Sequence, residues 1–180
     1  RATAAEGSPE AALCKLDLRC GRIAKCSKVP DSDKLYLLEV HIGDEAPRQV
    51  ISGLQKFYKP EELENRFVVV YCNIKPGKFA GYESQAMILA GVKDTGADTE
   101  VCELLAPPAG VAEGTRVMCG AYEVGCLSAT QSVKNISKVW AQVQPKLLTN
   151  DAREACFDGT PLTLNGAAAT TASLPGVPIS

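Results

Sequence analysis

Two ammonium groups, Lys75 and Lys78, stand among amides and hydroxyls in the segment Asn73-Ile74-Lys75-Pro76-Gly77-Lys78-Phe79-Ala80-Gly81-Tyr82-Glu83-Ser84-Gln85. Arg22 and Lys25 form a second pair of cations at the same spacing. Cations and neutral hydrogen-bonding groups without a nucleophile and base beside them are suited to grasping phosphates, not to making or breaking bonds. Nothing else in the chain supplies the missing catalytic parts. It has one histidine, His41, no nucleotide-cradling glycine loop, and no Ser-His-Asp or Cys-His pattern with a histidine to spare. An enzyme is therefore the weakest reading, and no cofactor is expected.

Apolar runs must hold these groups in place. Phe67-Val68-Val69-Val70-Tyr71-Cys72 is β-branched and aromatic, as a buried strand is, and Ala86 to Ala90 is a second run of strand length. Pro76-Gly77 and Gly81 break regularity between them, which predicts an exposed loop at a sheet end carrying both lysines. Leu16, Leu18 and Cys20 alternate with Asp17 and Arg19, the pattern of a strand with one wet face. Gly21 interrupts it and predicts a bulge. Leu35 to Ile42 and Arg48 to Ile51 read as strands two and three, and Pro60 to Glu64 as a short helix with acids at its positive end. Five short strands, a bent first strand and a helix between the third and fourth point to a mainly β fold: a five-stranded Greek-key barrel of the OB type. A C-terminal β-rich annex follows, with short strands near Val101–Leu105, Thr115–Met118 and Leu162–Leu164. It contains one helix over Ser132–Gln144, where Val133, Ile136, Trp140 and Val143 recur at helical steps until Pro145. The expected organisation is a disordered linker over 1–12, the barrel over 13–106, the annex over 107–166 and a loose tail over 167–180.

Composition agrees with a soluble domain: 180 residues, 46% hydrophobic and 22% charged, with no apolar segment of membrane-spanning length and no signal-peptide pattern. The first residue is not Met, so the chain reads as part of something longer. Eight cysteines without a Cys-x-x-Cys pair, several inside apolar runs, read as small hydrophobes in the reducing cytosol rather than as disulfides or a zinc site. His41 reads as an ordinary strand histidine. The net charge of −2 is unevenly spread: +3 from Lys15 to Lys93 and −5 from Asp94 to Cys126. Any anion-binding surface therefore belongs to the first hundred residues.

The assembled segments resemble the tRNA-binding domain family, the appended module of some tyrosyl- and methionyl-tRNA synthetases and of their assisting cofactor proteins. The resemblance is carried by Leu16 to Ile23, Pro30 to Tyr36, Val50 to Leu54, Cys72 to Pro76, Ser84 to Met87 and Leu105 to Pro108. Trp140, Gln144-Pro145, Thr149-Asn150-Asp151 and Gly159 are similar to the longer subtype related to endothelial monocyte-activating polypeptide. It implies an OB barrel whose annex imitates the dimer contact of shorter relatives, a monomeric cytoplasmic module, and non-catalytic, structure-selective tRNA binding on behalf of a synthetase or a multi-synthetase complex. Two departures remove cations. Ala80-Gly81 stands where the family commonly has Arg-Gly, and the annex helix keeps only Lys134 and Lys138 of a usual lysine run. With an isoelectric point near 5.5, binding weaker than in basic relatives is expected.

Against that background Lys75 and Lys78 are the first candidates for phosphate contact, the alternative being ordinary solvated lysines. Ser84 and Gln85 are candidates for ribose or base edges, or equally for bracing the loop. Asn73 serves either role, with backbone capping the commoner use of an Asn at a strand exit. Arg22 and Lys25 line the same barrel face or are plain surface charge. Tyr36 and Phe79 are aromatic enough to stack on a base, although core packing or loop anchoring is the expected use of both. Trp140 is assigned to the annex core. Two further readings compete: a protein-interaction scaffold within a multi-synthetase complex, favoured by the acidic block, and a secreted cytokine-like fragment. The latter rests on Arg19 to Lys25, which strand one explains equally well.

Overall fold

Four consecutive apolar residues, Val68 to Tyr71, follow one another without alternation because both faces of their strand are covered. The computed structural model describes residues 2–96, 98–128 and 132–180. In it, Val68 and Val70 enter the barrel core with Ile23, Leu38, Val40 and Val50. Val69 and Tyr71 enter a second core with Leu18, Val117, Val139 and Phe157, shared with the annex.

The elements of the first unit are α1 (Pro9–Cys14), β1 (Leu18–Lys28), β2 (Tyr36–His41), β3 (Arg48–Ser52), α2 (Pro60–Leu63), β4 (Phe67–Tyr71), β5 (Gly77–Phe79), β6 (Tyr82–Ser84), β7 (Met87–Ile88), β8 (Ala90–Thr95) and β9 (Asp98–Leu104). The barrel sheet runs β3-β2-β1-β4-β7, antiparallel throughout. Strand β1 serves both neighbours in turn: its first half pairs with β4 (Leu18 opposite Tyr71) and its second with β2 (Lys28 opposite Tyr36). The register shift that lets it bend falls between Ile23 and Lys25, not at Gly21 as the sequence predicts. Gly21 is needed for a different reason. A Cβ there would come within 2.6 Å of Val70 Cγ2 and 3.2 Å of the His41 carbonyl, so the strands close on bare backbone.

Three other expectations change. The run Ala86 to Ala90 is not one strand, because the chain leaves the barrel sheet at Leu89 and its continuation pairs with β9 as a hairpin. Residues 9–12, expected within a disordered linker, form α1 together with Leu13 and Cys14. Ser8 caps it by accepting from the Ala11 amide at 3.1 Å, and Ala11, Leu13 and Cys14 are buried. The stretch 167–180, expected to be loose, is laced between barrel and annex. Ala90 and Ser180 exchange both backbone hydrogen bonds (2.9 and 3.0 Å), the Val92 amide donates to Pro178 (2.9 Å) and the Ile179 amide to Leu147 (3.1 Å). Ile179 is fully buried. Its small neighbours disguise two apolar residues, Val177 and Ile179, spaced as one face of a strand.

The annex carries β10 (Met118–Cys119), β11 (Tyr122–Glu123), α3 (Ile136–Val143), β12 (Leu147–Thr149), β13 (Ala155–Phe157), β14 (Thr160–Leu164) and β15 (Ala167–Ala168). Helix α3 opens at Ile136, after Asn135 in the left-handed region (φ 54°), and Gln144–Lys146 finish it as a 3-10 turn. It therefore begins later than its apolar periodicity predicts. Trp140 stacks on Tyr71 with ring centroids 4.9 Å apart, as its assignment to the annex core requires. Tyr36 is buried and donates its hydroxyl to the Tyr58 carbonyl at 2.8 Å, which excludes it as a platform for a base.

Candidate nucleic-acid interface

The lysine segment is a hairpin rather than an irregular loop. Strands β5 and β6 pair with Gly77 opposite Ser84, Lys78 opposite Glu83 and Phe79 opposite Tyr82. Ala80 and Gly81 make the turn, both with positive φ (51° and 85°), the two-residue geometry that continues the twist of the strands. Alanine in the left-handed region costs about 1 kcal/mol, so the turn is held by its strands and not by local preference.

Ser84 and Gln85 anchor this hairpin by closing the barrel. The Ile51 amide donates to Ser84 Oγ (3.0 Å), which donates onward to the Ala86 carbonyl (3.0 Å). The Gln49 amide donates to Gln85 Oε1 (2.9 Å), and the Gln85 amide returns a bond to the Gln49 carbonyl (2.8 Å). Side-chain oxygens thus replace the strand carbonyls that the edge of β3 lacks. Ser84 is 2% exposed with its hydroxyl fully used, so it meets no ribose or base edge. Gln85 is braced too, but remains partly exposed on the ridge between two clefts of about 510 and 430 Å³.

Asn73 is also structural. Its Oδ1 accepts from the Asp17 amide (2.8 Å) and its Nδ2 donates to the Lys15 carbonyl (2.9 Å), tying the exit of β4 to the entry of β1. Arg22 is not a free cation: its Nε lies 2.5 Å from Glu113 Oε1 and its Nη1 donates to Asn65 Oδ1 at 3.2 Å. Lys25 is exposed and only loosely opposed by Glu39 at 3.6 Å. Lys75 and Lys78 are exposed, and among the described residues neither has an ion-pair partner within 4.0 Å. The seven sequence candidates therefore divide. Lys75 and Lys78 project from the hairpin, Gln85 borders it, Lys25 lines the neighbouring cleft, and Asn73, Ser84 and Arg22 hold the scaffold.

The larger cleft runs beside the hairpin. It is lined by Asn73, Ile74 and Pro76, by Val133 and Ile136 at the entry to α3, and by Arg48. The exposed Lys134 and Lys138 belong to the same end of the annex. Sequence reasoning passed over Arg48, whose Nη1 donates to the Cys72 carbonyl (3.1 Å) and Nη2 to Asp44 (3.0 Å). Its only signal was a basic residue opening a strand. Asp44 also receives Arg19 Nη1 at 3.0 Å, and Arg19 grips Asp17 with two bonds of 2.9 and 2.7 Å.

Burial alone would raise the Asp44 carboxyl, but hydrogen bonds from Arg48 and Arg19 hold it below its ordinary value. A folded-state pKa below the unfolded one stabilises the fold above the carboxylate range. That contribution is lost as the pH falls through the folded value. Asp44→Asn is therefore expected to lower the urea midpoint near neutrality and to converge on the parent protein in acid, with denaturation curves at several pH values as the check. Burial raises the thiols of Cys72 and Cys14 to about 12 and those of Cys20, Cys26, Cys102 and Cys119 to about 11, and pushes Cys156 upward too. Among the described residues no cluster of His, Cys, Asp or Glu is suited to hold a metal. No described helix is long and apolar enough to cross a membrane. The arrangement offers exposed ammonium groups on a braced hairpin beside a polar cleft, a set of groups suited to meeting a polyanion.

Residues 18–116 match the model of the family described as putative tRNA binding domain. The chain belongs to the putative tRNA binding domain family. Its relatives include aminoacyl tRNA synthase complex-interacting multifunctional protein 1 of Cricetulus griseus, 39% identical over 154 residues, covering 86% of this chain and 41% of that protein. A probable methionine–tRNA ligase of Oryza sativa subsp. japonica is 42% identical over 151 residues, covering 84% of this chain and 18% of that protein. The chain thus spans less than half the length of either relative. The family model ends near the start of the annex, but a likeness to a solved structure extends across both units. The C-terminal domain of Plasmodium vivax p43 superposes with a TM-score of 0.81 at 30% identity, covering 93% of this chain and 98% of that one. The tRNA-binding-domain barrel and its annex therefore occur together as one recurring architecture.

Proposed function

We propose that this chain is a non-catalytic module that binds tRNA by shape and backbone and retains or delivers it for an aminoacyl-tRNA synthetase or a multi-synthetase complex. The observation that carries the reading is the pair of exposed lysines, without ion-pair partners among the described residues, on a hairpin clamped to the barrel rim, in a chain of the tRNA-binding-domain family. Phosphates are met by Lys75 and Lys78, with Lys25 and Gln85 on the neighbouring barrel face, while Asn73, Ser84 and Arg22 act indirectly by holding the scaffold. A fixed constellation of few cations selects a folded RNA whose phosphates match its spacing. The module acts as a monomer in the cytoplasm, alongside the synthetases it serves.

Affinity drawn from phosphate contacts falls steeply with salt, by about 0.9 log unit per contact for each tenfold increase. Isotherms of an unmodified tRNA transcript at two salt concentrations test this. No binding at low salt, or binding indifferent to salt, would sink the reading. A scaffold role is the second reading, favoured by the 39% identity to a complex-interacting protein and by the net −5 carried between Asp94 and Cys126. On that reading, association with synthetases persists after nuclease treatment.

A further inference from the structure

Phe79 is one of three large hydrophobic side chains left exposed among the described residues, at 50%, and it belongs to neither core. Its ring lies over Gly77, where an added Cβ would stand 3.4 Å from Phe79 Cε2, so the absent side chain lets the ring settle across the backbone. Tyr82 is its cross-strand partner and the turn at Ala80-Gly81 ends the hairpin just beyond. Half of the ring therefore stays in water at the hairpin tip, with a face free to meet a ligand. Of the two uses expected from the sequence, core packing is not met, whereas the contact over Gly77 is of the loop-anchoring kind.

Its surroundings say what suits it. Lys78 precedes it directly and Lys75 stands nearby, both without ion-pair partners among the described residues. In a strand the two neighbours point to opposite faces, so RNA crossing the tip meets an ammonium on one side and a ring on the other. An apolar protein segment would find a single ring rimmed by charge. A nucleobase supplies both the π-face and the adjacent phosphate. The base of the hairpin is clamped to β3 through Ser84 and Gln85, so the ring is carried on a rigid arm.

We infer that Phe79 is a stacking platform for an unpaired nucleobase of the bound tRNA, a contact that adds selectivity for exposed bases to the phosphate contacts of the lysines. The inference rests on the tRNA-binding reading above. It is tested by fluorescence anisotropy of a labelled, unmodified tRNA transcript with F79A, F79L, F79Y and F79W across a salt series. Loss of one stacked base weakens binding about tenfold. F79A and F79L are expected to show that loss with an unchanged salt slope, while F79Y and F79W stay near the parent protein. Leucine preserves burial over Gly77 but not the π-face, so a merely anchoring Phe79 would be rescued by F79L. That rescue would overturn the inference, as would a loss accompanied by a reduced salt slope. If the parent protein fails to bind the transcript, the tRNA reading itself falls. If the parent and F79L bind equally, only the stacking platform falls.

Discussion

Replacing both Lys75 and Lys78 by glutamate is expected to bring tRNA binding close to the limit of detection while leaving the fold unchanged. The two side chains are exposed and unpaired among the described residues, so their contribution to stability is within about 0.5 kcal/mol. Their contribution to binding is larger because each phosphate contact releases a condensed counterion. At a slope of about 0.9 per contact, two lost contacts cost roughly 60-fold at about 0.1 M salt, before the repulsion of the new carboxylates is added. The log–log salt dependence should flatten by about two contacts, which separates a lost electrostatic contact from a misfolded hairpin. Glu83 bears on the same experiment from the other side. It stands opposite Lys78 in the hairpin register and dilutes its field, so Glu83→Gln should tighten binding where the lysine pair is intact. An affinity unchanged by the double reversal would move the interface elsewhere on the barrel.

Ile179→Ala is expected to destabilise the protein by about 3 kcal/mol, an effect out of proportion to its place one residue from the end of the chain. The side chain is fully buried, and the surrounding backbone bonds join β8, in the hairpin that follows the barrel sheet, to β12 of the annex. Removing residues 176–180 should cost at least as much. It also strips the Ala90 and Val92 amides of their acceptors, which more than offsets the freedom regained by five residues. Urea denaturation followed through Trp140 reports directly, because that ring lies against Tyr71 in the core shared by the two units. A midpoint that does not move would mean that the tail does not dock as described.

The same tail shows why some of the structure escaped sequence reasoning. Periodicity within one element was legible: Phe67 to Tyr71, Tyr36 to His41 and the Pro60 helix all stand where composition predicts them. Leu174, Val177 and Ile179, scattered among Ala, Thr, Ser, Gly and Pro, carry no such signal, because the backbone partners of this stretch lie on β8 and β12, far away in the chain. Nor could residue type show which polar groups were already taken. Arg22 resembles Lys78 as a cation until Glu113, 91 residues on, is found beside it. Ser84 resembles any loop serine until the unpaired edge of β3 claims its hydroxyl.

Residue type and order alone determined that this chain builds a mainly β barrel with an annex and belongs among tRNA-binding domains. These are properties of local patterning and chemical inventory, which need no knowledge of neighbours in space. Only tertiary structure decided which polar groups remain available. A polar side chain is free to meet a ligand only when no backbone edge, carboxylate or carbonyl has been folded against it. Closing the barrel through Ser84 and tying β4 to β1 through Asn73 spent those groups on the scaffold and left the lysines and Phe79 in water.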